Sequence, residues 1–125
     1  IPARMLSSRL PHKMTLNLGT VPLIISTAKQ ALKSKAEQVI VATDHIDIVN
    51  LCKKYDIQTV MTKKSHNSGT DRLAEAVKKL GLHDDEIIIN VQGDEPLIDP
   101  NLINELAMFT INKNADFTTV AHKID

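Results

Sequence analysis

The sequence is poor in cysteine, in aromatic residues and in net charge. Among its 125 residues are one cysteine, one tyrosine, two phenylalanines and no tryptophan, and 15 basic residues balance 15 acidic ones. The single cysteine, Cys52, excludes an intrachain disulfide and a zinc site built from paired cysteines. The shortage of aromatic rings argues against a stacking platform for single strands, and the zero net charge argues against binding to a duplex.

Long apolar runs are also missing. No segment approaches the roughly 20 apolar residues that span a bilayer, and no signal-peptide pattern is present. We therefore expect a cytoplasmic protein that binds neither membrane nor nucleic acid. At 125 residues the chain is long enough for one domain with a real core.

Short runs rich in β-branched residues alternate with amphipathic segments. The apolar start IPA is typical of the end of a strand, and four further runs predict strands: VIVAT (39–43), QTVMT (58–62), EIIINV (86–91) and DFTTVA (116–121). Between them, apolar residues at helical spacing predict helices over 22–35, 45–55 and 70–80 and from Asp99-Pro100 onward. This alternation predicts an α/β fold, an open, mostly parallel twisted sheet with helices on both faces.

Polar clusters follow four of the predicted strands. They are the cationic stretch from Arg4 to Lys13, then Thr43-Asp44, HNSGTDR (66–72) and QGDEP (92–96). Ligands of open parallel sheets bind at the carboxyl ends of the strands, which meet at one edge. We therefore expect the four clusters to form one site.

The opening stretch IPARMLSSRLPHK carries three cations, Arg4, Arg9 and Lys13. Arginine would bind phosphate oxygens through its forked guanidinium and lysine as a point charge, so the loop could neutralise a polyphosphate. Neither GxxxxGK[ST] nor GxGxxG is present. The alternative is that these are ordinary surface cations.

Two further clusters carry specific chemistry. Asp94 follows an apolar strand, where a carboxylate is a good Mg²⁺ ligand because magnesium prefers oxygen and shares substrate phosphates; the alternative is a carboxylate that braces the loop. In HNSGTDR, Ser68 and Thr70 can cap a helix and Gly69 lets a ligand approach the backbone, although the segment could also be only a capped helix. Cys52 lies on an apolar helical stripe and is interpreted as a buried small hydrophobe rather than a nucleophile.

Taken together, the motifs IPAR-x-x-S-S-R-L-P-x-K, VATD, H-x-SGT-x-R and QGDEP resemble the 3-deoxy-manno-octulosonate (Kdo) cytidylyltransferases, in order and spacing, over essentially all of residues 1–125. The resemblance implies that the anomeric hydroxyl of Kdo attacks the α-phosphorus of CTP, that pyrophosphate leaves and that CMP-Kdo forms for lipopolysaccharide biosynthesis. It also implies Mg²⁺ as cofactor and a homodimer.

The resemblance assigns roles by matching position. Arg4, Lys13 and Asp94 would be the catalytic residues, with Asp94 holding Mg²⁺ and Gln92 near the sugar acid. The nucleotide-binding residues would be Ala3, Arg4, Arg9, Lys13, Ser68, Gly69, Thr70 and Arg72. Two departures from the family pattern stand out: His12 replaces the glycine before the lysine, and Gly19-Thr20-Val21 replaces an Asn-Gly-Lys turn.

The family is about twice as long as this chain. We therefore expect residues 1–125 to be the nucleotide-binding half of a cytidylyltransferase domain, with a truncated first strand and without the C-terminal half, and to bind nucleotide without turnover. Three alternatives remain open: a cytidylyltransferase of the CMP-sialic acid type, a non-catalytic CTP-binding module, and a structural domain without a ligand.

Overall fold

The computed structural model describes residues 1–4, 13–65, 68–83 and 85–113. Its strands and helices alternate along the chain. The strands are β1 (Pro2–Ala3), β2 (Asn17–Leu18), β3 (Val21–Pro22), β4 (Ile40–Thr43) and β5 (Gln58–Met61). The helices are α1 (Leu23–Leu32), α2 (Ile46–Lys54), α3 (Gly69–Leu80) and α4 (Pro100–Lys113), and a short 3₁₀ turn covers Lys13–Thr15.

The central sheet is parallel and has the order β1-β4-β5. Two of the predicted strands, 39–43 and 58–62, are confirmed as β4 and β5. The pairing of these two continues one residue beyond β5, where the backbone N–H of Thr62 donates to the carbonyl of Thr43 at 2.7 Å. Because all three strands run the same way, Arg4, Asp44 and Thr62 follow their carboxyl ends at one edge of the sheet.

All four predicted helices are confirmed, each within a few residues of its expected ends. Gly81 ends α3 in the left-handed conformation, with φ of 65°, and Asp99 accepts a hydrogen bond from the backbone N–H of Asn101 at 2.9 Å where α4 begins. No helix among the described residues is long and apolar enough to cross a membrane.

The core lies between the sheet and the apolar faces of the helices. Ile24 and Ile25 of α1, Val41 of β4, and Ile48 and Cys52 of α2 are fully buried. Burial raises the pKa of the Cys52 thiol to about 11, because a thiolate would lose its hydration there. The interpretation of Cys52 as a buried side chain is confirmed.

The strand predicted at 86–91 is wrong for most of its length. Residues 86–89 have no ladder pairing, and only Asn90 forms an isolated bridge. A cavity of about 640 Å³, lined by Ile40 and by Ile87, Ile88 and Ile89, lies beside this segment. A strand needs a paired backbone as well as β-branched side chains, and residues 86–89 lack that pairing. The last predicted strand, 116–121, lies outside the described residues.

Candidate functional site

Lys13, the last residue of the opening stretch, and Asp94 of the QGDEP turn form an ion pair. Lys13, at the start of the 3₁₀ turn, places its Nζ 2.8 Å from Oδ2 of Asp94. The two side chains are 38% and 40% exposed, so a ligand can reach both of them from solvent. The structure therefore brings together two predicted site residues, Lys13 as a phosphate ligand and Asp94 as a metal ligand.

Gly93 fixes the turn that carries Asp94. A Cβ at this position would lie 3.0 Å from Sδ of Met14 and 3.1 Å from Cδ1 of Ile24, so the backbone approaches both side chains closely. The hydroxyl of Thr27 on α1 donates to the carbonyl of Gly93 at 2.7 Å. The turn is thus held against α1 and against Met14, the residue after Lys13.

Residues 68–70, which we call the SGT turn, adjoin β1 and Gln92. Ser68 caps α3 by accepting a hydrogen bond from the backbone N–H of Asp71 at 3.2 Å. A Cβ on Gly69 would lie 3.0 Å from Cγ of Pro2 and 3.5 Å from Nε2 of Gln92. The SGT turn, which comes after β5 in the chain, therefore lies beside both β1 and the QGDEP turn.

The remaining predicted contact residues lie around this meeting point. Ala3 is buried and pairs with Thr43, Arg4 is exposed directly after β1, and Thr70 is exposed in the first turn of α3. Gln92 is exposed, with its amide Nε2 donating to Oδ1 of Asn90 at 3.4 Å. Arg9 lies outside the described residues. The roles of all these residues stay predictions.

Arg72 is placed differently from the other predicted nucleotide contacts. It is 3% exposed, and its Nη1 donates to Oγ1 of Thr62 at 2.5 Å and to the carbonyl of Lys63 at 3.0 Å. Its Nη2 lies 3.7 Å from Oδ2 of Asp44. The guanidinium thus joins the carboxyl ends of β4 and β5 and presents almost no surface to a ligand.

The donor set fits a magnesium ion that shares the phosphates of a substrate. Mg²⁺ is commonly bound by one or two carboxylates together with phosphate oxygens and water, and Asp94 offers such an accessible carboxylate. No group of three or more histidine, cysteine or acidic side chains able to hold a metal occurs in the described part of the chain. The described residues therefore do not form a metal site made of protein ligands alone.

Sequence reasoning missed Thr27 and Met14 as supports of the site. Thr27 lies on the buried face of α1 between Ile24 and Ala28. A hydroxyl among apolar positions needs a hydrogen-bond partner, so its place in the helical pattern could have indicated a contact with another segment. Nothing in the sequence pattern could have indicated the approach of Met14 to Gly93, because it depends on how two loops fold together.

The chain is similar in sequence to known cytidylyltransferases. The family model described as cytidylyltransferase matches residues 1–125. The chain is 50% identical over 125 residues to the 3-deoxy-manno-octulosonate cytidylyltransferase of Herminiimonas arsenicoxydans, a match that covers 100% of this chain and 50% of that protein. It is 48% identical over 124 residues to the protein of the same name from Neisseria meningitidis serogroup A, covering 99% and 49%.

Two solved structures share the fold. One is a CMP:2-keto-3-deoxy-manno-octonic acid synthetase complexed with CTP, with a TM-score of 0.84 and 36% identity over 91% of this chain and 46% of that chain. The other is a cytidylyltransferase from Leptospira borgpetersenii, with a TM-score of 0.75 and 25% identity over 91% and 48%. The chain thus spans about half the length of the curated relatives and of the solved structures that it matches.

Proposed function

The chain belongs to the cytidylyltransferase family, and we propose that the protein which carries it transfers a cytidylyl group from CTP to Kdo. The anomeric hydroxyl of Kdo forms a bond to the α-phosphorus of CTP, the bond to the β-phosphate breaks, and CMP-Kdo and pyrophosphate are released. The observation that carries the proposal is the contact of Lys13 with Asp94 at the carboxyl edge of the sheet. This edge is where a triphosphate and its metal ion would have to meet.

The cations of the opening loop hold the triphosphate. Arg4 and Lys13 neutralise the phosphates and Arg9 assists them, because negative charge on pyrophosphate increases as it leaves. The exposed position of Arg4 and the 38% exposure of the Lys13 side chain support this assignment. A lysine charge about 5 Å from a phosphate, at an effective dielectric constant near 20, contributes about 3 kcal/mol, or about 10²-fold in rate.

Asp94 is the residue that would hold Mg²⁺. When bound, the ion supplies positive charge to the phosphate oxygens around the reacting phosphorus. Thr27 keeps the Asp94 turn against α1 by its 2.7 Å hydrogen bond to Gly93, so the carboxylate needs little rearrangement when ligands bind. The ion pair with Lys13 supports the assignment, because the carboxylate is 40% exposed and already lies beside a positive charge.

The nucleoside lies against the SGT turn. Gly69 lets the base and ribose approach the backbone, Ser68 and Thr70 border them, and Ala3 forms the adjoining end of β1. Gln92 lies near the sugar acid, where its exposed amide can donate to a carboxylate or a hydroxyl. The closeness of Gly69 to Pro2 and Gln92 supports this arrangement, because it brings nucleoside and sugar positions to one place.

The protein as a whole is cytoplasmic and homodimeric in this proposal, depends on Mg²⁺, and binds neither membrane nor nucleic acid. Residues 1–125 on their own bind CTP without turnover. That expectation agrees with the half-length match to the relatives, whose further residues would contribute to the sugar pocket.

Two measurements test the proposed function. Calorimetry with CTP and Mg²⁺, against ATP with Mg²⁺ as control, should show binding of CTP at micromolar to submillimolar concentration and weaker binding of ATP. Release of pyrophosphate by the full-length protein should require Kdo. Turnover with sialic acid instead of Kdo would assign the other sugar acid, CTP binding without release would indicate a non-catalytic module, and no binding at millimolar CTP would overturn the proposal.

A further inference from the structure

Three charged residues on one face of α3 bind the last residue of β5 and the two residues that follow it. Nζ of Lys79 donates to the carbonyl of Met61 at 2.7 Å, and Glu75 accepts a hydrogen bond from the backbone N–H of Lys63 at 3.0 Å. Arg72 completes the row with its bonds to Thr62 and Lys63. Arg72, Glu75 and Lys79 share a helical face because they are three and four positions apart, and we call these three residues the α3 seam.

Arg72 is the member of the α3 seam nearest to the site. It is buried, it is in the first turn of α3, and its backbone N–H donates to the carbonyl of Ser68 at 3.3 Å. Its side chain reaches Thr62 beyond β5 and Asp44 beyond β4. A planar guanidinium with several donors in a rigid fork can join two such partners at once, which an ammonium does less well.

These contacts set the position of the SGT turn relative to the sheet. Gly69 lies three residues before Arg72 and packs on Pro2 of β1 and beside Gln92. The start of α3 is therefore located by Arg72 from the side of β4 and β5, and by Gly69 from the side of β1. A shift of Arg72 would move the turn on which the proposed nucleoside position depends.

We infer that Arg72 is a positioning residue, which orients the SGT turn through Thr62 and Asp44 and does not itself touch the nucleotide. The inference rests on the proposed function in one respect, that the SGT turn receives the nucleoside of CTP. It replaces the direct nucleotide contact that the family resemblance implies for this arginine.

A positioning role and a contact role of Arg72 predict different effects of substitutions at its partners. If Arg72 acts through its partners, removal of the Thr62 hydroxyl or of the Asp44 charge should reproduce part of the effect of removing Arg72. If Arg72 instead binds CTP, substitutions of Thr62 and Asp44 should leave CTP affinity nearly unchanged. Lysine at position 72 keeps the charge but loses the fork, so it should not restore affinity in the positioning case.

The test measures the Kd for CTP and the steady-state kcat and KM of the full-length protein. We expect Arg72→Met and Arg72→Lys each to weaken CTP binding about tenfold or more, and Thr62→Val and Asp44→Asn about threefold. The double variant R72M/T62V should bind CTP within about twofold of Arg72→Met alone, because both changes remove the same contact.

Two control variants on α3 separate positioning from a general loss of stability. Lys78→Met alters an exposed residue outside the α3 seam and should leave both the Kd and the thermal midpoint unchanged. Ala76→Gly weakens the buried side of the same helix, so it should lower the thermal midpoint and yet leave the Kd for CTP unchanged at 20 °C.

Each outcome decides between the possibilities. Wild-type affinity in Arg72→Met overturns the inference, and so does a loss in Arg72→Met with wild-type affinity in both Thr62→Val and Asp44→Asn. An Ala76→Gly variant that loses affinity as much as Arg72→Met would also overturn it. If the wild-type protein does not bind CTP, the proposed function fails. Amide hydrogen exchange at residues 68–70 then tests the role of Arg72 separately. Unchanged exchange at these residues in Arg72→Met would overturn the inference.

Discussion

Nζ of Lys13 lies 2.8 Å from Oδ2 of Asp94, although the two residues are 81 positions apart in the sequence. Both side chains are more than a third exposed, and exposed ion pairs of this kind are worth only about 0–1 kcal/mol. Under the proposed function, a metal ion and a triphosphate would therefore separate the pair easily, the ion binding the carboxylate and the phosphates binding the ammonium. Lys13 and Asp94 would balance each other's charge until those ligands bind.

The first prediction concerns Lys13 in catalysis. Lys13→Ala in the full-length protein should lower kcat/KM for CTP about 10²-fold, because it removes a charge worth about 3 kcal/mol near the leaving phosphates. Steady-state pyrophosphate release measures the effect, with the exposed Lys53→Ala as the matched control. A rate within about threefold of wild type would remove Lys13 from the mechanism.

The second prediction concerns Lys13 as a competitor for Asp94. Without nucleotide, Lys13→Met should bind divalent cations about two- to fivefold more tightly than wild type, because the carboxylate no longer has an ion-pair partner. Asp94→Asn should weaken the same binding at least tenfold. Titration with Mn²⁺, followed by electron paramagnetic resonance, reports the free ion directly. Equal Mn²⁺ affinity in wild type and Lys13→Met would mean that the ion pair does not compete with the metal.

The third prediction concerns the close approach of the backbone at Gly93. An alanine there would place its Cβ 3.0 Å from Sδ of Met14 and 3.1 Å from Cδ1 of Ile24. The thioether of Met14 can move, but Ile24 is fully buried, so the turn must shift. We expect Gly93→Ala to lower the free energy of unfolding by about 1–3 kcal/mol and also to weaken CTP binding, as measured by chemical denaturation and calorimetry.

Gly81→Ala is the matched control for Gly93→Ala. Gly81 has φ of 65° at the end of α3, with nothing within 4 Å of the place of a Cβ. Alanine should lower the free energy of unfolding by about 1 kcal/mol through backbone strain alone and leave the Kd for CTP unchanged. Loss of stability with normal CTP binding in both variants would contradict the role given to the Gly93 turn.

The fourth prediction concerns Cys52 and alkaline pH. Burial raises the pKa of its thiol from 9.0 to about 11, so the unfolded chain loses this proton at lower pH than the folded protein does. Between those two values the free energy of unfolding should fall by up to about 1.4 kcal/mol per pH unit on account of Cys52. Denaturation curves at a series of pH values measure this slope, and Cys52→Ala should reduce it. An identical slope in both proteins would show that Cys52 does not titrate as described.

Local structure was predictable where it depends on neighbouring residues. The apolar spacing of α1, α2 and α3, the glycine that ends α3 and the aspartate before α4 all act within a few residues, and the structure agrees with each. The prediction for 86–91 failed because β-branched composition is a local property, whereas a strand also requires a partner backbone alongside it. The fold class was unaffected, since β4 and β5 pair as expected.

The candidate site was predictable in outline. Parallel strands align their carboxyl ends, so clusters that follow β1, β4 and β5 had to meet at one edge. Which side chains contact one another at that edge was not predictable. The family resemblance implies that Arg72 contacts the nucleotide, and this stays a prediction. The burial of its guanidinium beside Thr62 and Asp44 could not be seen in the sequence.

By itself, the sequence determined the helices, the parallel arrangement of β4 and β5, the family, and the cationic and acidic segments of the site, because periodicity, capping and motif order are all read along the chain. Only the tertiary structure decided that Lys13 contacts Asp94, that Thr27 and Met14 hold the Gly93 turn, and that Arg72 binds strand ends rather than solvent. Such contacts join residues far apart in sequence, and their geometry depends on how whole segments pack against one another.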